Sequence, residues 1–169
     1  IENRILILFA TQSPMARDLR LLAAELELIT ELERIGDYAK GIAKVAEELA
    51  DDETPVPIRE ICTMADLAVS MLHRALSAFI AEDLDTARAL PAEDDQVDEL
   101  YKVIYRKIVQ GMIANPSSID HSNQILWVIH NIERTADRVT NICERIVFIA
   151  TGELLEMDSS DDELETPEA

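Results

Sequence analysis

The sequence predicts an all-α protein built as a bundle of long helices. Its 169 residues include only four glycines and 4% aromatic residues, whereas 48% are apolar. A protein made of β-sheets is typically richer in Val, Thr, Tyr and turn glycines, while Leu, Ala, Glu and Arg favour helices. Apolar residues also recur every three or four positions over long stretches, which is the period of a helix with one buried face.

The first two predicted helices are separated by a turn that contains proline. Apolar spacing places residues 1–11 on a helix that ends before Pro14, and the second helix then runs from Met15 to about Ala50. That second helix is a rod of about 54 Å, which needs neighbours of similar length to bury its apolar side. Because the chain opens without methionine or a capping residue, we expect sequence upstream of it.

Three further helices are predicted after the linker at 51–57, whose prolines and acids interrupt the apolar pattern. The third runs from about Ile58 to Arg88, the fourth over residues 92–114, and the fifth from about Asp120 to Thr151. Pro91 begins the fourth helix and a glycine follows the fifth, as is common at helix ends.

A segment near the N-terminus recurs about a hundred residues later. The stretches ELERIGDYAK at 31–40 and NIERTADRVT at 131–140 align when the sequence is shifted by 100 positions. The shift pairs Ile29 with Ile129, Glu33 with Glu133, Arg34 with Arg134, Asp37 with Asp137 and Ile42 with Ile142. In both places the segment lies on the long helix that follows a proline-containing turn. This indicates an internal duplication whose first copy is incomplete.

The duplication divides the chain into three parts. Residues 1–52 are expected to form a partial first helical repeat, and residues 58–152 a second repeat of three helices that folds by itself. Residues 153–169 hold eight of the 34 acidic residues and no basic ones, so we expect an acidic, disordered tail.

The formal charge of −19 limits the partners that the surface can accept. This charge argues against nucleic acid as a ligand, because phosphate binding draws on a basic surface. Direct adhesion to anionic lipid is disfavoured too. Such a surplus suits a cation or a basic partner, although a protein that is simply acidic and soluble is the commoner case.

The sequence contains no pattern typical of membrane insertion or secretion. Its longest uninterrupted apolar run, ILILFA, covers six residues, and a membrane-spanning helix needs about 18–20. Cys62 and Cys143 both lie among apolar residues without zinc-ligand spacing, so we expect two core thiols in a reducing compartment. Trp127, the single tryptophan, is likewise expected in the core.

The repeated segments each carry two carboxylates one helical turn apart. Glu33 and Asp37 in the first copy point the same way, and like charges at this spacing cost a helix about 0.2–0.5 kcal/mol. Compensation comes either from basic neighbours or from a bound cation. At the first site Arg34 and Lys40 are close enough to provide it by salt bridges.

The second copy has additional oxygen donors. Glu133 and Asp137 are followed by Asn141, and a third pair, Asp94 and Asp98, begins the helix that should pack alongside. Converging oxygens are what hard or borderline cations such as Mg²⁺, Ca²⁺, Mn²⁺ or Fe prefer. The alternative for the third pair is a stabilising role in the first helical turn, where acids favour the macrodipole and Lys102 can pair with Asp98.

No pattern in the sequence indicates an enzyme. It contains no glycine-rich phosphate loop, no nucleophile with a positioned base and no Cys/His zinc spacing. Two alternatives to a metal-binding module stay open at this point. One is a carboxylate-bridged metalloenzyme in a bundle, and the other is a helical scaffold without metal.

Four stretches together resemble the PhoU family of phosphate-transport accessory proteins: QSPMARDLRLL, ELERIGDYAKGIAKVA, AEDDQVDELY and NIERTADRVTNICERIVFIATGEL. The resemblance covers about residues 1–155. It implies two antiparallel three-helix bundles, the first incomplete at its N-terminus. It also implies multinuclear clusters of divalent or trivalent ions, with Fe, Mn, Mg and Zn as candidates. The matching ligands are Glu33, Asp37, Asp94, Asp98, Glu133 and Asp137, with Asn141 adjoining.

The same resemblance implies a function. It points to a cytoplasmic negative regulator that restrains the phosphate-specific ABC transporter and keeps its sensor histidine kinase off when phosphate is plentiful. Such a protein is an adaptor, not an enzyme, and we expect a homodimer. The sequence departs from the family pattern at three positions: Tyr38 and Arg138 replace a histidine after each motif aspartate, and Gly41 replaces an asparagine.

Overall fold

The computed structural model describes residues 1–50 and 55–157, and helices account for nearly all of them. The helices are α1 (Glu2–Gln12), α2 (Arg17–Glu48), α3 (Ile58–Ala81), α4 (Leu84–Ala89), α5 (Pro91–Ala114) and α6 (Ile119–Thr151). A 3₁₀ turn, Pro116–Ser118, joins α5 to α6. The described part of the chain contains no strand, so the prediction of an all-α protein is confirmed.

Helices α3, α5 and α6 form an antiparallel three-helix bundle. Glu60 near the start of α3 pairs with Lys107 near the end of α5, while Arg74 Nη1 of α3 lies 2.6 Å from Glu93 Oε2 at the start of α5. These two contacts show that α3 and α5 run in opposite directions. The tight 3₁₀ turn then reverses the chain into α6.

Helix α6 is the centre of the molecule, because α2, α3, α4 and α5 all pack against it. One continuous apolar core fills the space between α3, α5 and α6, and part of α2 covers it from the other side of α6. The α2 residues that pack against this core are Leu28, Leu32, Ile42 and Val45. The second repeat therefore supplies most of the core, and the first repeat lies on top of it.

Helix α1 packs against α2 alone among the described residues. Of its side chains only Ile5 is buried, whereas Leu6, Ile7 and Leu8 are exposed. Helix α1 thus presents a row of apolar side chains on its surface.

The predicted third helix is wrong at its C-terminal end. Instead of continuing to Arg88, α3 stops where Glu82 adopts a left-handed conformation, and Asp83 begins the short helix α4. The Asp83 carboxylate accepts hydrogen bonds from the backbone N–H groups of Asp85 and Thr86, each at 3.1 Å, and from the Thr86 hydroxyl at 2.7 Å. These bonds lower the pKa of Asp83. A capping aspartate thus starts a new helix here.

Helix α3 alone among the described helices is long and apolar enough to cross a membrane by length and composition. Its inner face packs into the bundle core through Ile61, Met64, Ala68, Met71, Ala75 and Ala78. Core helices of bundles meet the same criterion, so the observation is weak evidence for membrane insertion.

The two cysteines lie in different environments. Cys143 is fully buried on α6, and burial raises the pKa of its thiol to about 12. Cys62 is exposed on α3, so the prediction of a core thiol there is wrong. The sequence could not show which of the apolar positions on α3 would be fully buried.

After Gly152 the chain turns back toward α6. The Met157 backbone N–H donates to Glu144 Oε1 at 2.8 Å, and Met157 packs against the core. The start of the predicted tail is thereby in contact with the bundle. Residues 51–54 of the linker and 158–169 of the tail lie outside the described residues.

Candidate metal site and its surroundings

Helices α2 and α6 cross in an antiparallel register that brings the duplicated segments together. The start of α2 contacts the end of α6, where Arg20 Nε donates to the Ile149 carbonyl at 3.1 Å. The end of α2 contacts the first half of α6, where Gln124 Nε2 donates to Glu48 Oε2 at 3.3 Å. Between these ends, Arg138 Nη1 lies 3.5 Å from Glu31 Oε2. The two motifs therefore lie at the same level on the two helices, with their order reversed, as expected for repeats related by a pseudo-two-fold axis.

The first acidic pair lies on the outer side of this crossing, since Glu33 and Asp37 are both exposed. The adjacent arginine does not pair with either of them in a salt bridge. Instead Arg34 Nη1 contacts Glu31 Oε1 at 3.3 Å. The prediction that Arg34 offsets the charge of Glu33 and Asp37 by a salt bridge is therefore wrong.

The second acidic pair is more enclosed. Glu133 and Asp137 are half-buried, and Glu133 Oε2 lies 3.3 Å from His130 Nδ1. Burial and the charge of Arg134 lower the pKa of His130, so near neutral pH the ring is largely uncharged. Burial raises the pKa of Tyr101 of α5, and the Glu133 charge raises it further.

The third pair lies at the level of the second. Tyr101 of α5 and His130 of α6 have ring centroids 6.4 Å apart. Asp98 precedes Tyr101 by three residues on α5, and Glu133 follows His130 by three residues on α6. Because the two helices are antiparallel, Asp98 and Glu133 lie at the same height along them. One turn further, Asp94 reaches the level of Asp137. Asp94 and Asp98 thus lie at the levels of Asp137 and Glu133 on the neighbouring helix.

The helix-stabilising alternative for the third pair is supported at Asp94, which lies in the first turn of α5, where the macrodipole favours an acid. Asp94 is buried in the first turn of α5, and that helix has no side-chain cap hydrogen bond. Lys102 Nζ contacts Glu99 Oε1 at 3.1 Å rather than Asp98. The pKa of Lys102 is raised mainly by its contact with Glu99, and the charge of Asp98 raises it to a smaller extent.

These residues fit a metal in part. The donors are oxygens, and α5 and α6 bring two acidic pairs to one level, with Asn141 half-buried one turn beyond. Over residues 1–50 and 55–157, however, no group of three or more His, Cys, Asp or Glu side chains is placed so that it could hold a metal ion. A site at Asp94, Asp98, Glu133 and Asp137 therefore requires these side chains to adopt other rotamers than those in the structure.

The structure adds a polar cluster to the α2–α6 interface that the sequence did not reveal. Arg134 lies over the ring of Tyr38, 5.6 Å from its centroid. Burial tends to lower the pKa of Arg138, but a hydrogen bond with Tyr38 and the charge of Glu31 raise it overall. Tyr38 and Arg138 are two of the three departures from the family pattern. They contact each other across the crossing, so they act as one structural unit between the repeats.

The third departure, Gly41, also has a physical reason. A Cβ atom at this position would overlap Cη2 of Trp127, whose indole packs directly on the α2 backbone. Trp127 is 44% exposed, so its predicted core position is wrong. The glycine leaves room for the tryptophan, and no side-chain oxygen extends from this position toward the first acidic pair.

Substitution Gly41→Asn is expected to displace Trp127 and to destabilise the protein by about 1–3 kcal/mol, the usual cost of overpacking. Since Trp127 is the only tryptophan, a red shift of the intrinsic fluorescence should report its release directly. The matched control is Gly36→Asn, because a Cβ at Gly36 meets nothing within 4 Å. Identical spectra and unfolding midpoints for the two variants would contradict this packing role.

The fold and the acidic motifs together define a class of protein. It is an all-α protein with an internally repeated segment, and each copy of that segment carries an acidic pair on one of the two helices that cross. The sequence profile of the PhoU domain matches residues 1–46 and 61–146. The chain belongs to the PhoU family, so the resemblance noted in the sequence is confirmed.

Several relatives show the same family. The Phosphate-specific transport system accessory protein PhoU homolog of Clostridium acetobutylicum is 35% identical over 158 residues, which is 93% of this chain and 72% of that protein. The homolog of Streptococcus pneumoniae serotype 4 is 34% identical over 93% of this chain and 73% of its own length. The chain thus spans a little under three quarters of these relatives.

Solved structures agree with the fold. The crystal structure of PhoU from Pseudomonas aeruginosa superposes with a TM-score of 0.84 at 31% identity, covering 89% of this chain and 73% of that one. The phosphate transport system regulatory protein PhoU from Streptococcus pneumoniae gives a TM-score of 0.82 at 34% identity, covering 91% and 72%.

Proposed function

We propose that this protein is a cytoplasmic accessory protein of a phosphate-specific transport system. It restrains phosphate uptake and phosphate-starvation signalling by contacting the phosphate ABC transporter and its sensor histidine kinase. The observation that carries the proposal is the 30–38% identity to proteins named as phosphate-specific transport system accessory proteins, over 90% or more of this chain.

The protein acts as an adaptor without chemistry of its own. Helix α6 has 33 residues and is about 50 Å long, and the helices around it present elongated outer faces. Grooves along such helices are suitable docking surfaces for partner proteins. Its acidic surface favours a partner whose docking face is basic.

Metal ions are part of the proposal. A divalent or trivalent cation would be held by Asp94, Asp98, Glu133 and Asp137, with Asn141 as a neutral oxygen donor. In the first repeat Glu33 and Asp37 would hold a second one. The cation would supply positive charge that offsets the paired carboxylates. The packing of α5 against α6 holds the two carboxylate pairs at the same height along the bundle. Self-association into a homodimer completes the proposal.

The proposal is tested in a bacterial host whose own PhoU has been deleted. Expression of this chain should lower the uptake of labelled phosphate in phosphate-rich medium and reduce the expression of phosphate-starvation genes. An empty vector gives the baseline. If the chain accumulates in folded form and both readouts stay at that baseline, the regulatory proposal fails.

A further inference from the structure

Glu31 lies at the α2–α6 crossing and contacts one arginine from each copy of the repeated segment. Its Oε1 atom lies 3.3 Å from Arg34 Nη1 on the same helix, and its Oε2 atom lies 3.5 Å from Arg138 Nη1 on α6. The Glu31 side chain is 12% exposed, so solvent screens these contacts weakly. The corresponding residue of the second copy is Asn131. One carboxylate, supplied by the first copy, therefore holds two guanidinium groups.

Both of these arginines lie beside an acidic motif. Arg34 precedes Asp37 by three residues, and side chains at this spacing on a helix are neighbours. Arg138 directly follows Asp137, whose charge contributes to the raised pKa of Arg138. Each arginine is thus within reach of an acidic pair that we propose as a cation site, yet in the structure each contacts Glu31 instead.

The second copy carries another arginine at the same place in the repeat. Arg134 corresponds to Arg34 and precedes Asp137 by three residues. Its guanidinium carbon lies 5.6 Å from the centroid of the Tyr38 ring on α2, an attractive arrangement for a cation and an aromatic face. Arg134 and Arg138 are like charges one turn apart, which destabilises an isolated helix. Helix α2 offsets this repulsion by giving each of them a partner.

An arginine and a metal ion compete for the same carboxylate oxygens. A guanidinium that pairs with a carboxylate occupies its oxygen atoms in charge-assisted hydrogen bonds, so a cation binds that carboxylate less tightly. Arg138 is 19% exposed. A largely buried charge that loses its partner is costly and pairs with another opposite charge within reach. For Arg138 without Glu31, that group is the carboxylate of Asp137.

We infer that Glu31 is a positioning residue for both candidate cation sites, because it holds Arg34 and Arg138 away from the acidic pairs beside them. The inference rests on the metal-binding part of the proposed function and adds to it a residue outside the acidic motifs. It also gives the α2–α6 crossing a functional role, since the first repeat keeps the acidic pair of the second repeat open to a cation.

Mn²⁺ titration of the full chain, followed by the electron paramagnetic resonance of the free ion, tests this role. Glu31→Gln should raise the Mn²⁺ dissociation constant about 10-fold, the low end of the effect of removing a partner just outside the ligand shell. Glu27→Gln is the matched control, because Glu27 Oε2 also pairs with an α6 arginine, Arg145 Nε, at 2.8 Å. It removes the same charge and should change the constant less than about 2-fold, since Glu27 is exposed and screened.

A double-mutant cycle separates repositioning of the arginine from a simple change of net charge. It is carried out in a chain whose first acidic pair has been removed by Glu33→Ala/Asp37→Ala, so that only the second repeat is measured. Arg138→Gln should tighten Mn²⁺ binding about 10-fold when Glu31→Gln is also present and much less when it is absent. Equal effects in the two backgrounds would mean that only net charge matters, and would overturn the inference.

The fold of each variant is checked by far-UV circular dichroism. If Glu31→Gln does not fold, Glu31→Asp takes its place, because it keeps the charge but withdraws the carboxylate by one methylene, and it should also weaken Mn²⁺ binding. Equal affinity of the wild-type chain and the folded variant overturns the inference and leaves the metal proposal standing. A wild-type chain that binds no Mn²⁺ overturns both.

Discussion

Substitution Ile129→Ala in α6 is expected to destabilise the protein by about 2–5 kcal/mol, the range for removing a large aliphatic side chain from a packed core. Ile129 is completely buried in the central helix, where it belongs to the one core that α3, α5 and α6 share. Its neighbours are held by other helices and cannot collapse freely into the space. Most of the lost packing is therefore not recovered.

The measurement is urea unfolding followed by far-UV circular dichroism. Ile113→Ala is the matched control, because it removes the same atoms from a side chain that is 76% exposed. Its unfolding free energy should change by no more than about 0.5 kcal/mol. Comparable losses in the two variants would mean that α6 is not the centre of the core.

The helices were predictable because their signals are local. Apolar periodicity and prolines fix where the long helices lie, and the observed α2, α5 and α6 begin and end within a few residues of the predicted positions. The break between α3 and α4 was missed although its signal was present: Asp83 is followed three residues later by Thr86, whose hydroxyl and N–H both bond to it. In a sequence, an acidic residue that caps a new helix looks the same as one on the surface of a continuous helix.

The parts of the site that were not predictable depend on pairing between distant segments. Spacing along one helix shows that Glu133 and Asp137 share a face, but it does not show what lies opposite. Arg34 has carboxylates on both sides along α2, and only the α2–α6 crossing, where Arg138 also approaches Glu31, shows which of them is paired. The same holds for Trp127, whose position depends on a glycine 86 residues away in the sequence.

The double substitution Glu133→Ala/Asp137→Ala is expected to abolish metal binding in the second repeat. After incubation with Mn²⁺ or Fe²⁺ and gel filtration, elemental analysis of the wild-type chain should show bound metal, and the variant should lose the share held by that repeat. Asp95→Ala/Glu99→Ala is the matched control, because both residues are exposed on α5 at the same four-residue spacing. It should retain the wild-type metal content.

Thermal unfolding separates this outcome from a helical scaffold without metal. A ligand that binds only the folded state at 100 times its dissociation constant stabilises by about 2.7 kcal/mol, so metal should raise the melting temperature of the wild-type chain but raise it less in the variant. If the pair holds no cation, added metal should leave the melting temperatures of the wild-type chain and of the variant equally unchanged. That result, with no metal retained by the wild-type chain, would show that the acidic pairs do not serve as a metal site. The family relationship and the fold would be unaffected by that result, because neither depends on the charge of these side chains.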